Sequence, residues 1–311
     1  MLIVSAIGGV IYQQKGMPYR YPEELQAIID NNDPESVING EKEKITAKLL
    51  EGGELPRIGM NNIEPSFILW GDSHARALIP AIVFQANHNG LSGFVGTRND
   101  HPPLLGMDVT TDNMTVTCHH EYNDKVISFI VSHPEIKTVI LSAIWEFYAK
   151  GYHFNKRLGG TYTIKDVTGN MSSNSNALLL KIGLTRTINK LLSLDRKVVI
   201  VSDVPDIGFN VPGMFFARKR IGVSFNDILP SMNEYIERNK VVYEIFAIYK
   251  SRPNVTIIYP ESMLFDKSGN IIIANSNKLL YQDSHHLSKY GAIYISPVFN
   301  NCFKKMALGR I

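Results

Sequence analysis

Short apolar runs alternate with longer amphipathic helical patterns from residue 62 onward, and this alternation limits the fold more than any other feature of the chain. Each run is aliphatic or β-branched and is followed by polar turn residues. The runs lie at 66–71, 91–96, 137–145, 196–205 and 254–260, and the helical patterns at 75–88, 120–132, 175–193 and 230–250. This order is typical of a mostly parallel sheet with helices on both faces. We therefore predict an α/β fold, a three-layer sandwich with a mostly parallel central sheet.

The composition is that of a globular domain without a polyanionic partner. The chain has 311 residues, of which 44% are hydrophobic and 20% are charged, as is ordinary for globular proteins. Its formal net charge is only +3, and its longest basic run is Arg-Lys-Arg at 218–220. Domains that bind nucleic acid usually carry a strong basic patch. We expect no nucleic-acid partner.

The N-terminal segment, MLIVSAIGGVIY, is largely apolar but shorter than the roughly 20 residues that cross a bilayer. It also lacks the basic region and cleavage site of a signal peptide. Two alternatives stay open: a buried strand or helix, or the end of a membrane helix whose earlier part is missing from this chain, which we favour. Residues 13–61 mix short helical pieces with Pro, Gly and Asn, as in a connector. The predicted organisation is a membrane-helix end (1–12), a connector (13–61) and one catalytic domain (62–311).

The chain contains two cysteines, Cys118 and Cys302, which are far apart and form no Cys-x-x-Cys pair. A zinc site built from cysteines is therefore not expected, and no metal site is predicted. In an exported domain the two cysteines could form a disulfide bond, whereas in a cytosolic domain they would be buried thiols. The sequence leaves both possibilities open.

In the stretch ILWGDSHARAL, residues 68–78, an apolar run ends in Gly-Asp-Ser and a helical pattern begins at once. One interpretation is a simple helix cap, since Ser and Asp are favoured at that position. The other is that the turn presents Ser73 as a nucleophile, because ligands of parallel sheets bind at the carboxyl ends of strands. Asp72 is expected to accept hydrogen bonds from backbone donors of the turn. His74 is a candidate substrate-binding residue, although a solvated position is the simpler expectation.

The stretch YQDSHHLSKYGA, residues 281–292, supplies a base for such a serine. Asp283 and His286 are three positions apart, so on a helical turn they would share one face. The carboxylate can then orient the imidazole, as a catalytic histidine requires. His285 competes for this role, but at two positions from Asp283 it is expected to point away. A surface turn with two solvated histidines is the alternative.

The polar segment 151–175 is predicted to form an excursion or lid over this edge of the sheet.

Together, the Gly-Asp-Ser and Asp-x-x-His motifs resemble the two outer blocks of the SGNH (GDSL-like) hydrolase family. More closely, GDSHARALIPA and DSHHLSKYGA are similar to the SGNH domain carried at the C-terminus of acyltransferase-3 membrane proteins, which O-acetylate bacterial surface polysaccharides. HPPLLG, VILSAIWEFY and DVPDIGFNVP resemble middle segments of that subfamily. The resemblance covers roughly residues 62–305. It implies an SGNH, flavodoxin-like fold in which Ser73, His286 and Asp283 are the catalytic triad.

The oxyanion hole departs from the family's pattern. Ordinary SGNH enzymes use the nucleophile's N–H, a glycine, and the asparagine of a Gly-x-Asn-Asp block. Here GTRND (96–100) has one extra residue, and the position expected for the asparagine holds Ile-Trp-Glu (144–146). Gly96, Asn99 and Trp145 are therefore the candidate oxyanion residues. Losing one oxyanion donor typically costs about 10²–10³ in rate, so an incomplete hole implies a slow hydrolase.

The resemblance further implies what the domain acts on and where. It implies O-acetylation of a bacterial surface polysaccharide, such as O-antigen, through an acyl-serine intermediate in a periplasmic domain tethered to the inner membrane. A membrane acyltransferase-3 domain, absent from this chain, would be the partner. No cofactor is expected in the domain, and acetyl-CoA is only a distant acyl source. His101 stands where the subfamily usually has cysteine, which removes the partner expected for Cys118. A carbohydrate O-acetylesterase and a non-catalytic glycan-binding module remain alternatives.

Overall fold

The computed structural model describes most of the chain from residue 48 onward. The described ranges are 8–9, 12–13, 48–113, 115–154, 160–169, 173–225, 227–276 and 278–309. Most of the expected membrane-helix end and most of the expected connector lie outside these ranges, and both stay predictions. Among the helices of the described residues, none combines the length and apolar content needed to span a bilayer.

Six strands form the central sheet, in the order β1-β3-β2-β6-β8-β9. All neighbours are parallel except β1, which runs antiparallel to β3 at one edge. The fold class predicted from the alternation of runs is confirmed. In chain order the strands are β1 (Arg57–Gly59), β2 (Pro65–Gly71), β3 (Ser92–Thr97), β4 (Met107–Thr111), β5 (Val116–Cys118), β6 (Thr138–Ser142), β7 (Tyr162–Asp166), β8 (Lys197–Val201), β9 (Val255–Ile258), β10 (Ala274–Asn275) and β11 (Lys278–Leu279).

Helices cover both faces of this sheet and make the three layers. They are α1 (Ser73–Ala77), α2 (Ile79–His88), α3 (His120–Ser132), α4 (Trp145–Lys150), α5 (Asn176–Ser193), α6 (Val211–Ile221), α7 (Met232–Ala247), α8 (Lys289–Ile295) and α9 (Asn300–Ala307), with 3₁₀ turns at Pro260–Met263 and Ser296–Phe299. The pattern at 75–88 is divided into α1 and α2 because Pro80 lacks the N–H that a continuous helix needs.

The central strand β2 is apolar throughout because both of its faces are covered. Ile68 and Trp70 belong to the core cluster beneath α3, α5 and α7, whereas Phe67 and Leu69 belong to the cluster beneath α2, α8 and α9. All four side chains are fully buried. Successive side chains of a strand point to opposite faces, so a continuous apolar run is required here. This packing holds the carboxyl end of β2, and the turn that follows it, in a fixed position.

A second sheet of three antiparallel strands, in the order β5-β4-β7, lies outside the central one. Its strand β7 comes from the segment 151–175, so residues 162–166 of the predicted excursion or lid form a strand of this second sheet. Asp166, at the end of β7, forms a two-point ion pair with Arg186 of α5, with N–O distances of 2.8 and 2.9 Å. This ion pair fixes the second sheet to the helix layer.

The two cysteines are buried thiols and do not form a disulfide bond. Cys118 belongs to the core cluster on one face of the central sheet and Cys302 to the cluster on the other face. The sheet itself separates them, so the possible Cys118–Cys302 bridge is wrong. Burial raises the pKa of the Cys302 thiol to about 12, so this residue stays protonated.

Candidate active site

The turn after β2 is held by Asp72, the residue that precedes helix α1. Its carboxylate accepts hydrogen bonds from the backbone N–H groups of His74 (2.8 Å) and Ile144 (3.1 Å). Asp72 therefore binds backbone donors of the turn, as predicted. The turn is also tight: a Cβ at Gly71 would lie 1.7 Å from the carbonyl oxygen of Ser142 on β6. Only glycine fits there, and this close approach places Ser73 directly beyond the ends of two strands.

Ser73, His286 and Asp283 form a continuous hydrogen-bonded series. The distance from Ser73 Oγ to His286 Nε2 is 2.7 Å, and that from His286 Nδ1 to Asp283 Oδ2 is also 2.7 Å. Burial tends to raise the pKa of the Asp283 carboxyl, but the hydrogen bond and charge of His286 hold this pKa well below its usual range. The carboxylate is therefore ionised and fixes the imidazole as a base toward the serine. The predicted contacts are present, and the catalytic roles stay predictions.

The segment that carries Asp283 and His286 is fixed by its own backbone. Asp283 Oδ1 accepts hydrogen bonds from the N–H groups of His285 (2.9 Å) and His286 (2.8 Å). Ser288 caps helix α8 by accepting a hydrogen bond from Gly291 N–H at 3.0 Å. A Cβ at Gly291 would lie 1.9 Å from the Leu280 carbonyl oxygen. Only glycine therefore allows helix α8 to pack this closely against the backbone of Leu280. Helix α8 thus anchors the segment that carries the pair.

The structure does not support Trp145 as an oxyanion donor. Its side chain is fully buried, and its indole N–H donates to the Val201 carbonyl at 2.8 Å. Its backbone N–H and that of Glu146 donate to the carboxylate of Asp203, both at 2.7 Å. Because these donors are all engaged, the prediction for Trp145 is wrong: the residue packs in the core.

The other two candidate oxyanion residues lie in and after β3. Gly96 is paired with Trp70 in the strand ladder, and a Cβ at this position would lie 3.4–3.6 Å from the side chains of Leu55, Ile68 and Val126. It therefore lies inside the sheet, and its role as an oxyanion residue stays a prediction. Asn99 does lie in that loop, which is joined to the serine turn by a hydrogen bond of 3.0 Å from Arg98 N–H to the Gly71 carbonyl. The role of Asn99 stays a prediction.

A family profile described as the SGNH domain fused to AT3 domains matches residues 42–301. The chain belongs to this family. Among solved structures, the periplasmic domain of a lipopolysaccharide acetyltransferase from Salmonella ser. Paratyphi A is 17% identical, with 86% of this chain and 97% of that chain covered and a TM-score of 0.55. This likeness shows the fold.

A protein from Bacteroides fragilis NCTC 9343 designated an acylhydrolase is 12% identical, with 83% of this chain and 95% of that chain covered and a TM-score of 0.43. No curated protein sequence matches the chain. The family assignment agrees with the resemblance carried by the serine and histidine motifs, and the six-stranded, mostly parallel sheet agrees with its fold.

In this SGNH domain, His74 is neither solvated nor exposed. Its side chain is 5% exposed and stacks on His285, with ring centroids 5.4 Å apart and planes 11° from parallel. The ring of His286 lies 4.8 Å from it. Burial, with the neighbouring histidines, lowers the pKa of His74 well below its usual value. The expectation of a solvated histidine is therefore wrong, and a substrate contact stays a prediction.

His285 also belongs to this group of rings. Its centroid lies 4.1 Å from that of His286 and 4.6 Å from that of His153. Burial, with the charge of His286, lowers its pKa to about 3, so the ring is neutral at working pH. The alternative of a surface turn with two solvated histidines is wrong.

Sequence reasoning missed His153 and Asp206, which lie beside the proposed triad. His153 Nδ1 is 3.1 Å from Asp206 Oδ2, and the Asp206 side chain is 2% exposed. Asp206 follows β8, so the rule that polar residues after parallel strands line the site could have found it. His153 lies beyond α4, in the segment that is predicted to form an excursion or lid, and no local pattern marks it.

Proposed function

We propose that Ser73, His286 and Asp283 transfer an acyl group through a serine ester, and that the acceptor is a hydroxyl of a bacterial surface polysaccharide such as O-antigen. The observation that carries this proposal is the 2.7 Å contact between Ser73 Oγ and His286 Nε2, with Asp283 on the other imidazole nitrogen. Membership in the SGNH family that is fused to AT3 domains supports acyl chemistry at this site.

In the first half of the reaction, His286 Nε2 removes the proton of Ser73 as Oγ attacks the acyl carbonyl carbon. The tetrahedral oxyanion is stabilised by the backbone N–H of Ser73 and neighbouring donors. When the intermediate collapses, the bond to the leaving group breaks and the leaving group takes the proton from His286. The product of this half is an ester between the acyl group and Ser73.

In the second half, a sugar hydroxyl attacks the serine ester while His286 again removes the proton. The bond between the acyl carbon and Ser73 Oγ breaks, and His286 returns the proton to Ser73. Asp283 stabilises the imidazolium that forms in both halves. With water in place of the sugar, the same residues give an esterase, so the acceptor decides between the two activities.

The location and partner follow from the family and are part of the proposal. The AT3 fusion supports a membrane acyltransferase domain as the partner that delivers the acyl group. We place the domain in the periplasm, at the inner membrane, with acetyl-CoA as a cytoplasmic acyl source, and the acyl transfer itself requires no cofactor in the domain. The Salmonella domain that shares this fold is periplasmic.

The test uses the purified domain with 4-nitrophenyl acetate, with and without an oligosaccharide acceptor. The expected result is slow acetate release that depends on Ser73 and is diverted to acetylated sugar, detected by mass spectrometry. Acetate release that added oligosaccharides do not divert would favour the esterase. Normal glycan acetylation in cells that carry Ser73→Ala would exclude the serine as nucleophile and favour a glycan-binding module.

A further inference from the structure

Three potential metal ligands meet beside the proposed triad without belonging to it. His153, Asp206 and His285 each offer one ligand atom, and these three atoms lie within 4.8 Å of one another. Nitrogen and oxygen ligands lie about 2.0–2.2 Å from zinc, so two ligands of one ion are separated by at most about 4.4 Å. Small side-chain movements would therefore bring all three atoms onto one ion.

The ligand types suit a first-row transition metal. Two imidazoles and one carboxylate form the donor set of many zinc sites and of mononuclear iron sites, and such sites keep positions open for water or substrate. Magnesium and calcium prefer oxygen-only surroundings. The chemistry of the three side chains therefore favours zinc or a similar divalent ion.

The fold holds these side chains in place before any ion binds. Asp206 Oδ1 accepts a hydrogen bond from Gly208 N–H at 2.9 Å, and Oδ2 accepts one from Phe154 N–H at 3.0 Å. His285 Nδ1 lies 2.7 Å from Ser284 Oγ, which leaves the opposite nitrogen for an ion. Such second contacts orient ligating side chains in known metal sites.

The surroundings also show an unsatisfied group. His74 Nε2 is buried and has no hydrogen-bond partner, although buried polar atoms are nearly always paired. One ring nitrogen of His74 lies within 4.8 Å of a ring nitrogen of His285 and of one of His286. His286 already contacts Ser73 and Asp283 with its two ring nitrogens. The nitrogens left to bind a ligand in this part of the cluster therefore belong to His74 and His285.

We propose that this domain binds one divalent transition-metal ion, with Zn²⁺ as the first candidate, through His153, Asp206 and His285. The His153 side chain is 15% exposed, which gives an ion access from solvent. His286 keeps both contacts of the triad, so ion binding and the triad are compatible. The site does not depend on the proposed acyl transfer.

The test measures metal content of the whole purified domain, prepared without a polyhistidine tag. After treatment with a chelator and addition of zinc, the protein is desalted and its zinc is measured by mass spectrometry, with titration calorimetry for affinity. We expect about one ion per chain, and a loss of affinity of about tenfold or more in His153→Ala, Asp206→Asn and His285→Ala. Ser73→Ala should bind zinc like the parent protein, which separates this site from the proposed nucleophile.

The matched control is His120→Ala, because His120 Nδ1 also lies 2.9 Å from a carboxylate oxygen, that of Asp108, but outside this cluster. Its zinc content should equal that of the parent. Absence of bound zinc in the parent protein would overturn the proposal. Unchanged binding in the double variant of His153 and His285, with folding verified by circular dichroism, would overturn it as well.

Discussion

The carboxylate of Asp72 accepts a hydrogen bond from the backbone N–H of Ile144, with 3.1 Å between Oδ2 and the nitrogen. This bond joins the turn that carries Ser73 to the residue that precedes helix α4. Since Asp72 is fully buried, the geometry of the proposed nucleophile depends on a carboxyl group that water does not reach.

Replacement of Asp72 by Asn should change how stability depends on pH. Burial raises the pKa of Asp72 to about 6, from 3.8 in an unfolded chain. The folded protein therefore holds this proton more tightly, and the group's contribution to the free energy of unfolding falls by about 3 kcal/mol as the pH rises from about 4 to about 6. Asn does not titrate. The free energy of unfolding of Asp72→Asn, relative to that of the parent, should therefore rise by that amount over the same pH range, as measured by urea denaturation.

Asp266→Asn is the control for this experiment, because Asp266 accepts hydrogen bonds from the N–H groups of Asn270 and Ser268, and these lower its pKa. A lowered pKa has the opposite effect on the pH dependence of stability: the stabilising contribution of Asp266 is present at neutral pH and is lost in acid. The parent should therefore gain stability over Asp266→Asn as the pH rises. A stability difference between Asp72→Asn and the parent that stays constant from pH 4 to 7 would contradict the prediction.

Ser73→Ala and His286→Ala should lower ester turnover to about the same floor, and the double variant should be little worse. Members of a triad act as a unit, so their single losses do not add. The measurement is release of 4-nitrophenol from its acetate by folded protein. Ser128→Ala, in an exposed part of α3, should keep full activity. Clearly additive losses in the double variant would show that the two residues do not act together.

Asp283→Asn should keep the fold and lose activity by about 10⁴, the loss known for the equivalent change in a serine protease. The amide oxygen can still accept the backbone N–H bonds of His285 and His286, whereas the amide nitrogen would face His286 Nδ1 and favour the wrong tautomer. Turnover and circular dichroism measure the two effects. Loss of folded structure, rather than of turnover alone, would assign Asp283 a mainly structural role.

Trp145→Phe should lower stability without lowering the turnover of folded protein. It removes the indole donor from the Val201 carbonyl, and an unsatisfied buried polar group costs about 1–3 kcal/mol. Trp70→Phe is the matched variant, since Trp70 is equally buried and donates its indole N–H to Asn123 at 3.1 Å. If Trp145→Phe keeps its stability but loses turnover while Trp70→Phe does not, Trp145 is an oxyanion donor after all.

Features determined by local sequence were predictable. The five runs of the central sheet lie where the apolar patterns place them. Strands β2, β3, β6 and β8 are largely buried because both of their faces are covered, whereas the edge strand β9 is only partly buried. The contacts of Ser73, Asp283 and His286 were also predictable, since each residue belongs to a short motif. The edge strand β1 and the second sheet were not, because strands such as β5 and β7 are short, partly polar and paired with distant residues.

The histidine cluster could not be predicted from sequence for a related reason. His74, His153 and His285 come from three separate segments, and each is flanked by residues typical of ordinary turns. Only the packing of those segments at one edge of the sheet brings the rings of His74 and His153 to 5.4 and 4.6 Å from the ring of His285. Likewise, Trp145 follows a strand as an oxyanion residue would, but the buried carboxylate of Asp203 takes up the backbone donors there.

Ser73 and His286, which share the hydrogen bond described above, are 213 positions apart in the chain. During synthesis on the ribosome, the serine emerges long before the imidazole that would activate it. Until residues 283–286 have emerged and joined the sheet edge, Ser73 remains an ordinary alcohol without a base. In the proposed mechanism, the nascent chain therefore cannot form the serine ester, and this reactivity begins only when residues 283–286 have joined the sheet edge.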